Sequence, residues 1–178
     1  SDLDGVIADH KAMDCLHPAI GSLPAEYRVF EDIKRFRDEL YPIAEKLAAE
    51  GLDFSYHNHS HEFIRQDGKT WLQMLYETCD AEHLKAEIDT YWVQAGGGDP
   101  ALWVEKMAGR EPLLHLKDMC VTVDREQRFC PIGEGNLNWP RILGIAEKSG
   151  VEYMLCEQDR CWDGQNPFDA LAISYRNL

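Results

Sequence analysis

Apolar positions along the chain alternate between short runs and longer stretches with helical spacing. The longest helical stretch covers residues 30–50, where apolar side chains recur every three or four positions. These positions are Ile33, Phe36, Leu40, Ile43, Ala44, Leu47 and Ala48. Such spacing predicts an amphipathic helix. Gly51 follows directly and is the residue expected just after a helix C-terminus.

The remaining pattern predicts strands and helices in alternation. After a first apolar run at residues 12–20, strands are expected at 52–57, 84–89, 113–116 and 151–156, and helices at 69–79, 100–108, 139–148 and 167–175. Alternating strands and helices predict βαβ units around a parallel sheet, either open and doubly wound or closed as a barrel. Neither a linker nor a longer repeat divides the sequence. We therefore expect an α/β fold in one domain, residues 1–178.

Composition and charge narrow the functional classes. The chain is 44% hydrophobic with 18 Lys and Arg against 32 Asp and Glu, giving a formal net charge of -14. That charge disfavours nucleic acid and membrane surfaces as partners. No apolar run approaches the roughly 20 residues that span a bilayer. The six cysteines are dispersed, which favours a reducing, cytoplasmic setting.

Residues able to carry chemistry follow four of the predicted strands. They are Tyr-His-Asn-His at 56–59, Glu-Ile-Asp-Thr at 87–90, His-Leu-Lys-Asp at 115–118 and Glu-Gln-Asp at 157–159. In α/β proteins the carboxyl ends of parallel strands carry the functional sites. Residues two apart in an extended chain share a face, so His57 is expected beside His59, and His115 beside Lys117. Imidazoles with carboxylates form the ligand sets of Zn, Mn, Co or Fe sites.

Several of these residues also have a structural interpretation. Asp89, followed by Thr90, could cap the next helix. Lys117 could pair with Asp118 or Glu134 instead of reaching a substrate. Trp92 and Trp139 could offer ring faces to a sugar, although a tryptophan more often packs in the core.

Five motifs in order carry a family resemblance. They are YHNHSHEF, EIDTYWVQAGGGDP, LLHLKDM, PIGEGNLNWPRIL and YMLCEQD. Together they resemble the xylose isomerase-like TIM-barrel family of sugar phosphate isomerases and epimerases. The resemblance implies a (β/α)8 TIM barrel, of which this chain holds about strands 4 to 8. It also implies a divalent metal at the carboxyl end of the barrel, with Asp89, His115 and Glu157 as ligands.

The fifth-strand ligand differs from the pattern of the epimerases. Where they carry a glutamate, this chain has His57, a variant that resembles inosose dehydratases and keto-sugar lyases. Either His57 binds the metal and His59 acts as acid or base, or the two exchange roles. Loss of one of two opposed glutamates disfavours epimerisation by two bases and favours a lyase, dehydratase or isomerase.

The resemblance implies a metal-dependent reaction of a small sugar or polyol. The ion could be Mn, Co, Zn, Fe or Mg. Proton abstraction beside a carbonyl would give a metal-stabilised enediolate, with Glu157 or His59 moving the proton and Lys117 stabilising negative charge on oxygen. Trp92 and Glu134 are expected to contact the substrate.

Other interpretations remain open. A non-catalytic relative or a truncated barrel fragment would bind sugar or metal without turnover. Gly51, His57, His59, Glu62 and Gly68 approach the metal motif of the cupins, but two gaps are short by one residue and cupins are all-β. An apurinic endonuclease, from the same barrel family, is disfavoured by the negative charge.

The chain of 178 residues is too short for a complete barrel. A full barrel takes about 250 residues, and five strands, counting the apolar run at residues 12–20 as the first, cannot close one. We therefore expect the first strands to be missing from this sequence or supplied by another chain. Unprotected sheet edges would then favour a homodimer.

Overall fold

The structure, a computed structural model, describes residues 2–162 and 164–178. The chain forms two compact units, Ser1–Glu87 and Ile88–Leu178. The boundary between them falls inside one strand, Lys85–Asp89.

The first unit contains three parallel strands with helices between them. Its elements are α1 (Leu3–Ala12), β1 (Ala19–Ile20), α2 (Ile33–Ala49), β2 (Ser55–His57), β3 (Arg65–Gln66), β4 (Lys69–Thr70), α3 (Trp71–Thr78) and β5 (Lys85–Asp89). Strand β2 pairs in parallel with β1 on one side and with β5 on the other. The short strands β3 and β4 form an antiparallel pair. This order is that of successive βαβ units.

Helix α2 confirms the strongest sequence prediction. Its buried face consists of five residues at helical spacing, namely Ile33, Phe36, Leu40, Ala44 and Leu47. Residues 30–32 form a separate 3-10 turn, and Ile43, which the pattern placed among the apolar positions, is 41% exposed. Gly51 follows the helix with φ +80°, a backbone conformation that glycine adopts without strain.

Helix α1 was not predicted from the sequence, which showed only an apolar run at residues 12–20. In this helix Ile7 is the buried residue, so no apolar stripe marks the helix in the sequence. The side chain of Asp2 caps its first turn by accepting from Gly5 N at 3.1 Å. Ile7 packs with Leu47 and Leu52 in a small buried cluster. Packing of Ile7 and of the partly buried Leu3, together with a local cap, therefore stabilises this helix.

The second unit contains a parallel strand pair, a hairpin and four helices within its described residues. Its elements are α4 (Thr90–Ala95), α5 (Pro100–Lys106), β6 (Leu113–Leu116), β7 (Asp118–Val121), β8 (Gln127–Cys130), α6 (Trp139–Ser149), β9 (Tyr153–Cys156) and α7 (Pro167–Asn177). Strands β6 and β9 are parallel, with His115 opposite Leu155. Strands β7 and β8 form an antiparallel hairpin.

The hairpin and helix α4 correct the sequence prediction. The sequence predicts no element between residues 116 and 139, whereas residues 118–121 and 127–130 form the paired strands β7 and β8. The two strands are four residues each and partly exposed, so their alternation is too short to identify. Helix α4 has six residues and begins directly at the end of β5, where the sequence showed only a possible cap at Asp89.

The α/β fold class is confirmed by these elements. The predicted strands at residues 84–89, 113–116 and 151–156 are present as β5, β6 and β9, with the last shortened to four residues. In residues 2–162 and 164–178, every helix is too short or too polar to cross a lipid bilayer.

Candidate functional site

Lys117 is the centre of a charged cluster in the second unit. Its side chain is 2% exposed, and its Nζ lies 2.9 Å from Asp89 Oδ2, 2.9 Å from Glu157 Oε2 and 2.9 Å from Asp159 Oδ1. The alternative of a pair with Asp118 or Glu134 is therefore wrong. We call Asp89, His115, Lys117, Glu157 and Asp159 the Lys117 cluster.

The parallel pairing of β6 and β9 brings this cluster together. The ladder continues past both strands, since Glu157 N donates to Leu116 O at 3.1 Å. Glu157 consequently lies beside the residues that follow β6. Its Oε2 accepts from His115 Nδ1 at 2.8 Å as well as from Lys117.

Asp89 caps a helix, as the sequence allowed, and its role as a metal ligand stays a prediction. Its Oδ1 accepts from Trp92 N at 3.0 Å and so caps helix α4. Its Oδ2 contacts Lys117 instead. The carboxylate is completely buried, and Asp89 and His115 each offer a ligand atom within 4.8 Å of the other.

Thr90 supports the backbone of the cluster, a role that the sequence did not identify. Its Oγ1 donates to Lys117 O at 2.8 Å and accepts from Lys117 N at 2.9 Å. It also contacts His115 O at 3.1 Å. The hydroxyl therefore fixes the backbone at the end of β6, from which both His115 and Lys117 project. A Thr directly after an Asp at a strand end was the available signal, but it is equally typical of an ordinary helix start.

The charges of the cluster shift one another's pKa values. Burial raises the pKa of Asp89 to about 6, although Lys117 acts in the opposite direction. Burial would lower the pKa of Lys117, but Asp89, Asp159 and Glu157 together raise it above its ordinary value. Glu157 is also partly buried, yet its hydrogen bond and ion pair with Lys117 lower its pKa to about 2. Lys117 is thus cationic, and Glu157 is an anion, at neutral pH.

Three aromatic rings border the cluster. Tyr91 and Phe129 are stacked with their centroids 4.0 Å apart, and Trp92 meets both edge-on. Lys117 Nζ lies 6.0 Å from the centre of the Trp92 ring and 5.9 Å from that of Phe129. Trp92 therefore lies close to Lys117, together with Tyr91 and Phe129, which the sequence did not single out. Its contact with a substrate stays a prediction.

Asp118, the neighbour of Lys117, faces another set of partners. Its two oxygens accept hydrogen bonds from the backbone of the next residue in β7, from three backbone N–H groups of the loop after β8 and from the indole of the first residue of α6. These donors are Met119 N, Gly133 N, Gly135 N, Leu137 N and Trp139 Nε1, at 2.7 to 3.3 Å. Trp139 is consequently a buried packing residue, and the suggested sugar contact is wrong. Glu134, predicted to contact substrate, accepts from Asn177 of helix α7 at 3.3 Å.

The first unit holds the histidines of the Tyr-His-Asn-His motif. His57 and His59 are neighbours as predicted, with ring centroids 5.1 Å apart. His57 Nδ1 lies 4.0 Å from Glu87 Oε2. Their roles as metal ligand and acid or base stay predictions.

Glu62 organises the loop that carries these histidines. It is 1% exposed and accepts from Tyr56 Oη at 2.7 Å and from His59 N at 2.8 Å. Burial, together with Glu62, raises the pKa of Tyr56 above its ordinary value. The sequence showed Glu62 only as part of a cupin-like spacing, which the helices of this fold exclude. Its role in the structure is to hold the backbone at His59.

The Lys117 cluster fits a divalent cation in both charge and donor type. Three carboxylates against one ammonium leave two negative charges in excess. An imidazole beside carboxylates is a donor set of the transition metals, and carboxylates with water also suit Mg. Asp89, His115 and Glu157, the three ligands that the family resemblance implied, all belong to this cluster.

Comparison with known proteins agrees with this architecture. The family model described as xylose isomerase-like TIM barrel matches residues 8–173. No curated protein matches the sequence significantly.

Solved structures with the same fold carry several enzyme names. A sugar phosphate isomerase/epimerase from Parabacteroides distasonis superposes with a TM-score of 0.82 at 24% identity, over 98% of this chain and 60% of that one. A D-tagatose 3-epimerase-like protein superposes with a TM-score of 0.68 at 20% identity, over 96% of this chain and 64% of that one. A probable 3-DHS dehydratase from Bacillus anthracis, involved in petrobactin synthesis, superposes with a TM-score of 0.70 at 15% identity, over 98% of this chain and 67% of that one. The chain thus spans about three fifths to two thirds of the length of these proteins.

Proposed function

The chain belongs to the xylose isomerase-like TIM-barrel family, and from that premise we propose that it is a divalent-metal-dependent enzyme of sugars or polyols. The proposed reaction moves a proton at a carbon next to a carbonyl group. It covers isomerisation, epimerisation and dehydration, because all three can begin with this step. The names of the structural neighbours support this range of reactions.

One observation carries the proposal: Lys117 Nζ lies 2.9 Å from each of three carboxylates, beside an imidazole. A purely structural lysine needs one such partner, and gathering three carboxylates, of which Asp89 is fully buried, around one buried ammonium is electrostatically costly. The excess of negative charge is the arrangement that a divalent cation would stabilise. This electrostatic cost is therefore explained better by a role of the cluster in binding a ligand than by a contribution of the cluster to folding stability.

Asp89, His115 and Glu157 are the residues that would hold the ion, with His57 as the further ligand implied by the family resemblance. A bound divalent ion would act as a Lewis acid on the substrate carbonyl and so acidify the neighbouring C–H bond.

Lys117 has a separate role toward the substrate. Its ammonium is fixed by Asp89 and Asp159, so it can donate to a substrate oxygen that gains negative charge without first reorganising. Thr90 fixes the backbone from which the lysine projects. Trp92 and Phe129 would exclude water from one side of the reacting carbon.

Two residues remain candidates for the proton transfer itself, His59 and Glu157. Their variants separate the possibilities, because Glu157 is also a proposed ligand and His59 is the alternative to it as base. Glu157→Gln should lose both metal and proton exchange. His59→Asn should lose exchange but retain metal if His59 is the base.

The test measures metal content first and exchange second. Protein reconstituted with Mn²⁺ and then desalted should retain close to one ion per chain, measured by inductively coupled plasma mass spectrometry. Asp89→Asn, His115→Ala and Glu157→Gln should each lose that ion. Asp99→Asn is the matched control, because Asp99 also caps a helix and pairs with a cation, Arg141, at 2.7 Å. It should retain metal.

The second measurement follows C–H exchange by NMR in D₂O with a panel of keto-sugars and inososes. Exchange that requires Mn²⁺ supports the enzyme. Metal bound with no exchange of any panel member would favour the non-catalytic binding relative instead. Absence of bound metal after reconstitution with Mn²⁺, Co²⁺, Zn²⁺ or Mg²⁺ would contradict the proposal outright.

A further inference from the structure

Two cysteines of the β7–β8 hairpin have their thiols in contact. The register of the hairpin pairs Asp118 with Cys130 and Cys120 with Arg128. Cys120 and Cys130 are therefore diagonal to each other, and they share one face because alternate residues of a strand point to the same side. Their thiols are hydrogen-bonded to each other. We call Cys120 and Cys130 the hairpin thiols.

The hairpin thiols differ in their access to solvent. Cys130 is 4% exposed, whereas Cys120 is partly exposed. Burial, the nearby Asp118 carboxylate and the interaction with Cys120 raise the pKa of Cys130 above its ordinary value. Cys130 is therefore a protonated thiol in the interior, and an oxidant that arrives from solution meets Cys120 first.

Contacts at the base of the hairpin hold the two thiols together. Asp118, directly opposite Cys130, accepts from Gly133 N at 2.9 Å and from Gly135 N at 3.0 Å, so the chain that leaves β8 is tied to β7. Trp162 Nε1 donates to Phe129 O at 2.9 Å and braces β8 one residue before Cys130. Two reacting groups that are held in contact react far faster than the same groups free in solution.

A second thiol in contact changes what oxidation does to the first. Each of the six cysteines lies in the described part of the chain and is a free thiol. A cysteine that is oxidised alone passes from sulfenic to sulfinic acid, which is irreversible without a dedicated repair enzyme. A thiol beside it captures the sulfenic acid as a disulfide, which thiol reductants reverse.

We propose that Cys120 and Cys130 form a redox modification site, in which a hydroperoxide oxidises Cys120 and Cys130 then closes a reversible disulfide. In the first step Cys120 Sγ attacks the peroxide, an S–O bond forms, the O–O bond breaks and an alcohol or water leaves with the thiol proton. In the second step Cys130 Sγ attacks the sulfenic sulfur, the S–S bond forms, the S–O bond breaks and the hydroxyl leaves as water with the Cys130 proton. Two thiols and one hydrogen peroxide thus give one disulfide and two waters. The site does not depend on the proposed function.

The diagonal placement indicates a bridge that is easily reduced. Diagonal neighbours in an antiparallel pair are typically about 7–8 Å apart, whereas the Cα atoms of a relaxed disulfide are about 4.4–6.8 Å apart. Closing the bridge must therefore draw β7 and β8 toward each other at Cys120. Strained disulfides are the labile ones, so millimolar reduced glutathione should reopen this bridge.

The test exposes the metal-free 178-residue chain to a small molar excess of hydrogen peroxide. Iodoacetamide labelling in urea, followed by mass spectrometry, should show a loss of two of the six thiols. Trypsin cleaves between the two cysteines, after Arg125 and Arg128, so the non-reduced digest should contain residues 118–125 linked to residues 129–141. Reduced glutathione should restore both thiols.

Three variants assign the roles of the two thiols. In Cys130→Ser the sulfenic acid of Cys120 has no partner, so dimedone should trap it. Cys120→Ser should give neither a bridge nor a dimedone adduct at Cys130, because Cys130 is buried. Cys161→Ser is the matched control, since Cys161 has the same partial exposure and lies in the same unit. It should form the bridge as the unchanged protein does.

The inference is overturned if no thiol is lost, if Cys120 passes to sulfinic acid without a bridge, or if the bridge forms elsewhere. Cys156 and Cys161 border one small cavity, and a bridge between them would link residues 149–160 to residues 161–176 in the same digest. A dimer on a non-reducing gel would show a bridge between two copies and would also contradict the inference. Circular dichroism checks that each variant keeps the fold. Loss of metal binding or of C–H exchange leaves these measurements unchanged, so failure of the proposed function is a separate result.

Discussion

At the scale of single residues, the bond between Lys117 and Asp89 controls the stability of the cluster. Both side chains are buried, and neither charge has bulk water to stabilise it. Lys117→Met removes the ammonium and leaves Asp89 as an uncompensated buried carboxylate. We expect a loss of about 3 kcal/mol in the free energy of unfolding of the metal-free protein. Urea unfolding at pH 7 measures it.

The double variant Lys117→Met/Asp89→Asn provides the control. The asparagine introduced by Asp89→Asn would still cap helix α4 with its side-chain oxygen, and it carries no charge that needs a partner. The double variant should therefore be more stable than the lysine variant alone, which is a strongly non-additive result. Additive losses would show that the pair contributes little to folding.

The sequence predicted which residue types meet at this site but not their pairing. Asp89, His115, Lys117 and Glu157 follow predicted strands, and parallel strands end at the same edge. The choice of partner for Lys117 depends on how far β9 extends beyond Leu155, which opposes His115 in the register. No sequence pattern specifies that length, so the sequence suggested Asp118 and not Asp159 as the partner of Lys117.

At the scale of elements, Asp118 fixes the loop between β8 and α6, and Gly135 is the residue that allows the close approach. A Cβ at Gly135 would lie 2.6 Å from Met119 O and still closer to the Asp118 carboxylate. Gly135→Ala must push the loop away from its anchor, and we expect a loss of about 2 kcal/mol of stability. Urea unfolding, together with the near-ultraviolet circular dichroism of Trp139, measures the change.

Gly144→Ala is the matched control for this loop. Gly144 lies inside helix α6, and nothing lies within 4 Å of its added Cβ. Alanine there should raise stability by about 0.5–1 kcal/mol, because glycine is unfavourable in a helix interior. Equal effects of the two substitutions would contradict the anchoring role of Asp118.

The elements that the sequence predicted are those with a long or uninterrupted pattern. Helix α2 buries one side at regular spacing, and β6 is apolar except for His115, so both were predicted with nearly correct bounds. Helix α1 buries one residue, and the β7–β8 hairpin is short and half exposed. Their stability comes from caps and contacts with distant residues, which periodicity does not record.

At the scale of the whole molecule, an apolar face on the second unit bears on the expectation of a homodimer. All four residues of β9 are exposed, and Phe168 and Tyr175 of helix α7 are 79% and 82% exposed. Phe168 and Tyr175, together with Leu171 and with Cys156 of β9, border an open apolar cavity of about 400 Å³. Exposed apolar surface beside a strand edge favours association. The net charge of -14 opposes it.

Because these two effects respond differently to salt, they can be separated. We expect the 178-residue chain to self-associate, and to do so more strongly at 0.5 M NaCl (about 4 Å screening length) than at 0.05 M (about 14 Å), since salt screens the repulsion and leaves the apolar contact intact. Sedimentation velocity over a concentration series measures this self-association.

The variants Phe168→Glu and Tyr175→Glu should shift the protein toward monomer. Val123→Glu, at a residue that is 98% exposed on the hairpin, is the matched control and should not. A monomer at every concentration and both salt levels would contradict the expectation, and association weakened equally by all three variants would show that added charge, not this face, is responsible.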